Sequence, residues 1–368
     1  MLTSLLCVIL LLNLIQICST GIGCFGCKPV KSRSQKTLPG PMKKMIEFDE
    51  NDIEQNGDPI TFACIHKPGQ TEFTMAMSNN AAEMSTLIQA LGHNKRGLSI
   101  FFTGIGAILM EKNATQLDGK GWYESSDTNI CYVGYQYMKS KTVAIKKLLH
   151  LRSMIKDKRP HFVAKETCDF FMKVRIMCME SGHNCLDDIS NMVVVGYSLG
   201  AHIGAFFVRC LFQRTGQRIG KLIGLDPAAC TQFMDKSKYI QSGDAFNVQT
   251  IHTSSTSGTN ERLADSNIEV NHNCPLWDLE NTHRLAKFMH IIVSARKAVM
   301  IAVAKGHGRV INLQDTEVHD IHVAADECVI GVYNQDVPSE SQPRKKYEIS
   351  LRWDCKSAEG IQLKTVSK

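Results

Sequence analysis

Between residues 60 and 303 the chain alternates short apolar runs rich in β-branched residues with longer segments whose apolar positions recur at helical spacing. Ile60 to Cys64, Leu98 to Phe102, Asn129 to Val133, Val193 to Val195, Lys221 to Leu225 and Phe246 to Thr253 read as strands. Ala81 to Leu91 reads as a short helix. Pro160 to Met179 reads as a long one, with Phe162, Val163, Cys168, Phe171, Val174 and Met177 close to a common face. A further helix follows Gly200 through Ala201, Ile203, Ala205, Phe206, Val208 and Leu211, and another opens in Asn281 to Met289. Strands alternating with helices predict an α/β domain: a mainly parallel sheet with helices on both faces. Ser254 to Asn273 is polar, without a long apolar stretch, and reads as a connection. The apolar stretch Phe288 to Val303 is broken by His290, Arg296 and Lys297, which predicts a soluble helix rather than a membrane span.

The first 20 residues are apolar around a leucine-rich centre, end in small residues and are shorter than a span requires. They read as a secretory signal, with an uncleaved anchor as the alternative because no basic residue precedes the apolar run. Residues 21–58 lack sustained periodicity and read as an N-terminal arm tied down by Cys24 or Cys27, leaving 59–368 as the globular domain. Cys7 and Cys18 fall in the signal, so 12 of the 14 cysteines remain, an even number suited to disulfides after export. Cys24 and Cys27 have redox or zinc spacing, yet no second ligand pair accompanies them, so no metal site is expected. Asn113-Ala-Thr115 is a glycosylation sequon. The formal charge of +6 suits an anionic lipid surface slightly and lacks the basic stripe of a nucleic-acid binder.

Chemistry concentrates where the Val193 strand meets Gly196-Tyr-Ser-Leu-Gly200 and the helix beyond. A serine between glycines at a strand-to-helix turn is a nucleophile elbow: the hydroxyl is lifted above the sheet, and the following amide, Leu199, faces a developing oxyanion. Leu98 to Phe102 runs into Thr103-Gly104-Ile105, an early strand-to-loop junction that supplies a second amide, assigned to Ile105. Asp226-Pro227 ends a strand at the sheet's C-terminal edge, where an acid partner belongs. A histidine must follow Asp226. Position favours His283, expected in a loop just ahead of a helix, with His272 as runner-up; His252 reads as structural.

Gly196 to His202, Gly224 to Ala228, Ile251 to Thr253 and Thr282 to Ala286, in that order, resemble the animal pancreatic-lipase family, with insect lipases and venom phospholipases A1 nearest in style. The resemblance covers about residues 60–335. It implies an α/β-hydrolase fold, Ser198 as nucleophile, Asp226 as acid, His283 as base, no cofactor, and a lipid or membrane-surface substrate for a secreted enzyme. Three departures matter. The family's His-Gly-aromatic oxyanion loop is Thr103-Gly104-Ile105 here. The cysteine two residues before the histidine is replaced by Asn281, so the lid disulfide must be absent or rewired through Cys274 or Cys230. His283 follows Thr253 by only 30 positions, which in this family goes with phospholipase A1 or galactolipase activity. With 85 residues after His283 the C-terminal β-sandwich is not expected, nor a colipase-type partner. Relatives that keep the fold as yolk or binding proteins supply the alternative, a catalytically weak lipid-binding protein.

Overall fold

The β-branched runs pair into one sheet, in a computed structural model that describes residues 45–49, 58–105, 119–135, 154–156, 158–229, 235, 238–275, 278–313, 321–333, 345–353 and 364–365. The expected signal, the sequon, Cys24, Cys27, Cys230 and most of the N-terminal arm lie outside the described residues. The early strands are β1 (Thr61–Ile65), β2 (Thr74–Met77), β3 (Gly97–Phe102) and β4 (Thr128–Gly134). The centre is β5 (Val193–Tyr197), β6 (Lys221–Leu225), β7 (Asn247–His252) and β8 (Ser266–His272). The late strands are β9 (Ala298–Val303), β10 (Arg309–Asn312), β11 (Glu327–Val329), β12 (Lys345–Arg352) and β13 (Lys364–Thr365). Strand order runs β10-β9-β12-β8-β7-β6-β5-β3-β4-β1-β2, with β11 on β9 and β13 on β12. From β12 to β4 every neighbouring pair is parallel, and the flanking strands pair antiparallel.

The helices are α1 (Ala81–Gly92), α2 (Gly119–Ser125), α3 (Arg159–Glu180), α4 (Leu199–Thr215) and α5 (Leu279–Ser294). Because successive strand side chains point to opposite faces, each central strand feeds two cores. Ile100, Phe102, Val194 and Leu222 pack with α1, α3 and α4. Phe101, Val195, Ile223 and Leu225 pack with residues of α2 and α5 on the other side. This is the α/β-hydrolase fold, as the alternation predicts. The chain lays β4 on one side of β3 and β5 on the other, so strand order reverses between β3 and β5. Ligand sites form outside the carboxyl ends of strands at such a switch point. Those ends carry Thr103 and Ser198.

Three expectations need correction. The polar stretch 254–273 is not all connection: its second half is β8, a central strand. Asn267 is buried there because its side chain is satisfied, accepting from Thr250 Oγ1 (3.1 Å) and donating to the Ala264 (3.0 Å) and Lys345 (3.2 Å) carbonyls. The stretch 288–303 is not one helix either. Helix α5 stops at Ser294, Arg296 turns the chain at φ 53°, and the remaining β-branched residues form β9. Among the described residues no helix is long and apolar enough to cross a membrane. The even cysteine count does not become pairing throughout: Cys64–Cys131 and Cys178–Cys185 are disulfides and Cys274 is disulfide-bonded, whereas Cys168, Cys210 and Cys328 are buried thiols. The Cys64–Cys131 bond joins directly opposed positions of β1 and β4. In the described part of the arm, Phe48 is buried in the core and its carbonyl accepts from Gln213 Nε2 of α4 (2.9 Å).

Candidate active site

The elbow is built from close backbone approach. Ser198 sits at φ 58°, ψ −123°, between the end of β5 and the first residue of α4. For a non-glycine residue this conformation costs about 1–3 kcal/mol and persists only where the surroundings hold it. Its N–H donates to the Leu225 carbonyl (2.9 Å), and its own carbonyl accepts from Ala201 (3.1 Å) and Ala228 (3.2 Å). A Cβ on Gly196 would lie 2.2 Å from the Gly200 oxygen, and one on Gly200 would lie 2.4 Å from the Phe102 oxygen. Glycine is therefore required at both, and the second contact brings the β3 loop against the elbow helix. Ser198 itself is 8% exposed.

That β3 loop is fastened from behind. Thr103 donates through N–H (3.2 Å) and Oγ1 (3.0 Å) to the Val133 carbonyl, and the Tyr135 hydroxyl donates to the Thr103 carbonyl (2.7 Å). Gly104 abuts the elbow, since a Cβ there would lie 3.2 Å from Ser198 Cβ and 2.7 Å from the Tyr197 ring. Ile105 follows, half-buried and packed against the core. Leu199 is fully buried as the first residue of α4, where a backbone N–H has no intrahelical acceptor.

Asp226 ends β6 at φ 43° and is completely buried. Its Oδ1 accepts from the Thr253 N–H (2.8 Å) and the Ser254 N–H (3.2 Å), and Oδ2 accepts from the Ser254 hydroxyl and from His283 Nδ1 (2.5 Å). Thus His283, not His272, meets the carboxylate. His272 is committed elsewhere, with Nε2 on the Thr253 carbonyl (2.7 Å) and Nδ1 accepting from the Cys274 N–H (3.2 Å). His252 is structural as expected, bonded to the Thr259 carbonyl (2.8 Å) and Thr250 Oγ1 (2.9 Å).

His283 does not occupy a loop. It lies in the second turn of α5, because Asp278 caps the helix earlier by accepting from the Asn281 N–H (3.3 Å). Asn281 Nδ2 donates back to Asp278 Oδ2 (2.7 Å), so the residue standing in place of the family's cysteine helps secure the cap. The Tyr197 ring covers the imidazole at 4.8 Å between centroids, and burial with the nearby Asp226 charge pushes the Tyr197 phenol upward. Sequence reasoning did not single out Tyr197 or Ser254 as neighbours of the pair. The Gly196–Gly200 spacing carried a signal for the first, by adjacency to Ser198; nothing local carried one for the second.

Residues 176–271 match a family model described as Lipase. That segment, about a quarter of the chain, is what is similar to the lipase family. The matched segment contains Ser198, Leu199 and Asp226, while Ile105 precedes it and His283 lies beyond it. Over 84 residues the chain is 37% identical to Phospholipase A1 1 of Dolichovespula maculata, a match covering 23% of this chain and 26% of that protein. The match thus spans about a quarter of the curated relative's length. Among solved structures, a hormone-sensitive lipase from a metagenome library is 8% identical, with 54% of this chain and 62% of that chain covered at a TM-score of 0.26. An arylesterase is 13% identical, with 64% and 73% covered, also at 0.26. Superpositions this loose carry no weight for chemistry.

A second histidine of the lipase segment, His202, ties the elbow helix to the acid's loop. Its Nδ1 accepts from the Ile240 N–H (3.3 Å), so Nε2 carries the proton donated to the Ala228 carbonyl (2.9 Å). Burial pushes its pKa down to about 4 from 6.5. The folded-state value is depressed, so the unfolded chain takes the proton first as pH falls. Stability from neutral His202 is complete above 6.5 and is lost progressively toward about 4. The expected loss is roughly 3 kcal/mol. In urea unfolding, the stability advantage of the wild type over His202→Asn should shrink by that amount across this pH window. A constant difference would refute the assignment.

Proposed function

We propose that the protein hydrolyses carboxylic esters of lipids by a two-step acyl transfer, with Ser198 as nucleophile, His283 as base and Asp226 as the carboxylate that steers it. The observation that carries this reading is the buried Asp226 carboxylate bonded to the half-buried His283 at 2.5 Å, at the same sheet edge as a serine held at φ 58°. With Nδ1–H bonded to Asp226, Nε2 of His283 is the free lone pair and takes the Ser198 proton as Oγ attacks the ester carbonyl. The proton then passes to the leaving alcohol oxygen, leaving an acyl-enzyme. Water then attacks the acyl carbon, giving its proton to Nε2, and the imidazolium returns that proton to Ser198 Oγ as the fatty acid departs. The amides of Leu199 and Ile105 bind the oxyanion, each contributing on the order of 3 kcal/mol to barrier lowering.

The substrate class proposed is phospholipid, cleaved in the manner of a phospholipase A1. Two observations support it. The curated relative bears that name. In addition, β8 occupies much of the segment before His283, and six positions separate His272 from Leu279, too few for a large lid at that junction. Export is part of the proposal, and the Cys64–Cys131 and Cys178–Cys185 disulfides suit an oxidising compartment.

A fluorophosphonate probe tests the chemistry. Prompt labelling at Ser198, abolished in Ser198→Ala, with release of fatty acid from phosphatidylcholine vesicles, is the expected result. An unlabelled wild type that binds vesicles would instead mark a lipid-binding protein with altered Thr103-Gly104-Ile105 chemistry.

A further inference from the structure

We infer that Ser254 is a positioning residue that sets how strongly Asp226 holds the His283 imidazole; the inference rests on the hydrolase reading above. The hydroxyl's direction is fixed by its neighbours. The Gly258 N–H donates to Ser254 Oγ (2.9 Å), so that oxygen is an acceptor on one side. Its own proton goes to the acceptor on the other side, Asp226 Oδ2, the same oxygen that receives His283 Nδ1–H. Oδ1 is meanwhile filled by the Thr253 and Ser254 amides. The carboxylate therefore accepts four hydrogen bonds in a site with no exposed surface. An ionised carboxylate offers about four lone-pair sites, so each donor shares a fixed amount of charge with the rest.

The loop is shaped to close over that carboxylate. Gly258 pairs with Ala228 in an isolated bridge, and a Cβ at Gly258 would lie 2.4 Å from Asp226 Oδ1. The Gly258 backbone thus lies directly against that carboxylate. Removing the Ser254 hydroxyl would concentrate negative charge on Oδ2, and the positively charged imidazolium would be held more strongly. The imidazole would then lose its proton at higher pH. The carboxylate itself would lose its anchor to the loop at Oδ2, so the oxygen that orients the imidazole would be less fixed in position.

The test compares wild type with Ser254→Ala and Ser254→Cys. A thiol fills nearly the same space but donates weakly, so it separates hydrogen bonding from packing. The His283 titration is read by NMR of the imidazole ring, and kcat and KM are read across pH on a short-chain ester. Both variants should raise the His283 titration midpoint by about half a unit and move the acid limb of kcat/KM with it. They should lower kcat about tenfold and leave KM within about twofold. An unchanged midpoint in Ser254→Ala, or a Ser254→Cys protein equal to wild type, would overturn the inference. Thermal unfolding reports whether each variant folds, and if the alanine variant does not, the thiol variant carries the comparison. The NMR midpoint needs no turnover, so a wild type inert on esters would sink the hydrolase reading while the Ser254 coupling is still measured.

Discussion

Asp226→Asn should lower kcat by about 10⁴ while leaving the fold and thermal stability close to wild type. The amide has the carboxylate's shape but cannot accept at both ends. Asp226 Oδ1 faces two backbone N–H donors at 2.8 and 3.2 Å, so the amide oxygen must turn there, and the –NH2 must face His283 Nδ1. The imidazole then accepts at Nδ1 and carries its proton on Nε2, where it cannot remove one from Ser198. The Ser254 hydroxyl also loses its acceptor. Steady-state kinetics on a soluble ester decides the matter. A loss below tenfold would show that the carboxylate does not govern the imidazole.

The second large effect concerns stability. Arg209 of α4 and Asp244 are both buried and meet through two bonds, Nε to Oδ1 (2.8 Å) and a terminal nitrogen to Oδ2 (2.9 Å). The same guanidinium donates to the Tyr239 carbonyl (2.7 Å), and the Gln241 N–H completes Asp244 (2.9 Å). The pair pins residues 239–244 to the elbow helix, beside the Ile240 amide that fixes His202. Asp244→Ala leaves a buried, uncompensated cation and should cost about 3–5 kcal/mol of unfolding free energy. Replacing both partners by apolar residues, Arg209→Met with Asp244→Leu, should recover most of that loss, because no charge is then left without its partner. Urea denaturation of these two variants beside the wild type measures it. A single variant as stable as wild type would mean that water reaches the site.

The strand–elbow–helix at 193–215 was legible in the sequence because its constraints are local. Two glycines admit backbone contacts that a Cβ forbids, and a β-branched run ahead of them favours a strand. The alternation of elements and the place of Asp226 at the end of β6 followed from the same short-range patterns. The strand β8 was not legible, since Asn267 is tolerated at a fully buried position only through partners as remote as the Lys345 carbonyl. The late strand β12 escaped for a related reason: it pairs with β8 and β9 across long separations.

The sequence by itself determined the α/β architecture and the elbow that carries Ser198, because backbone crowding and hydrophobic period act between near neighbours. Only the tertiary structure decided which histidine meets Asp226, placed that histidine on a helix, and revealed Ser254 on the carboxylate. Those contacts join residues 28 and 57 positions apart, and no local pattern encodes a distance between side chains that the fold alone brings together.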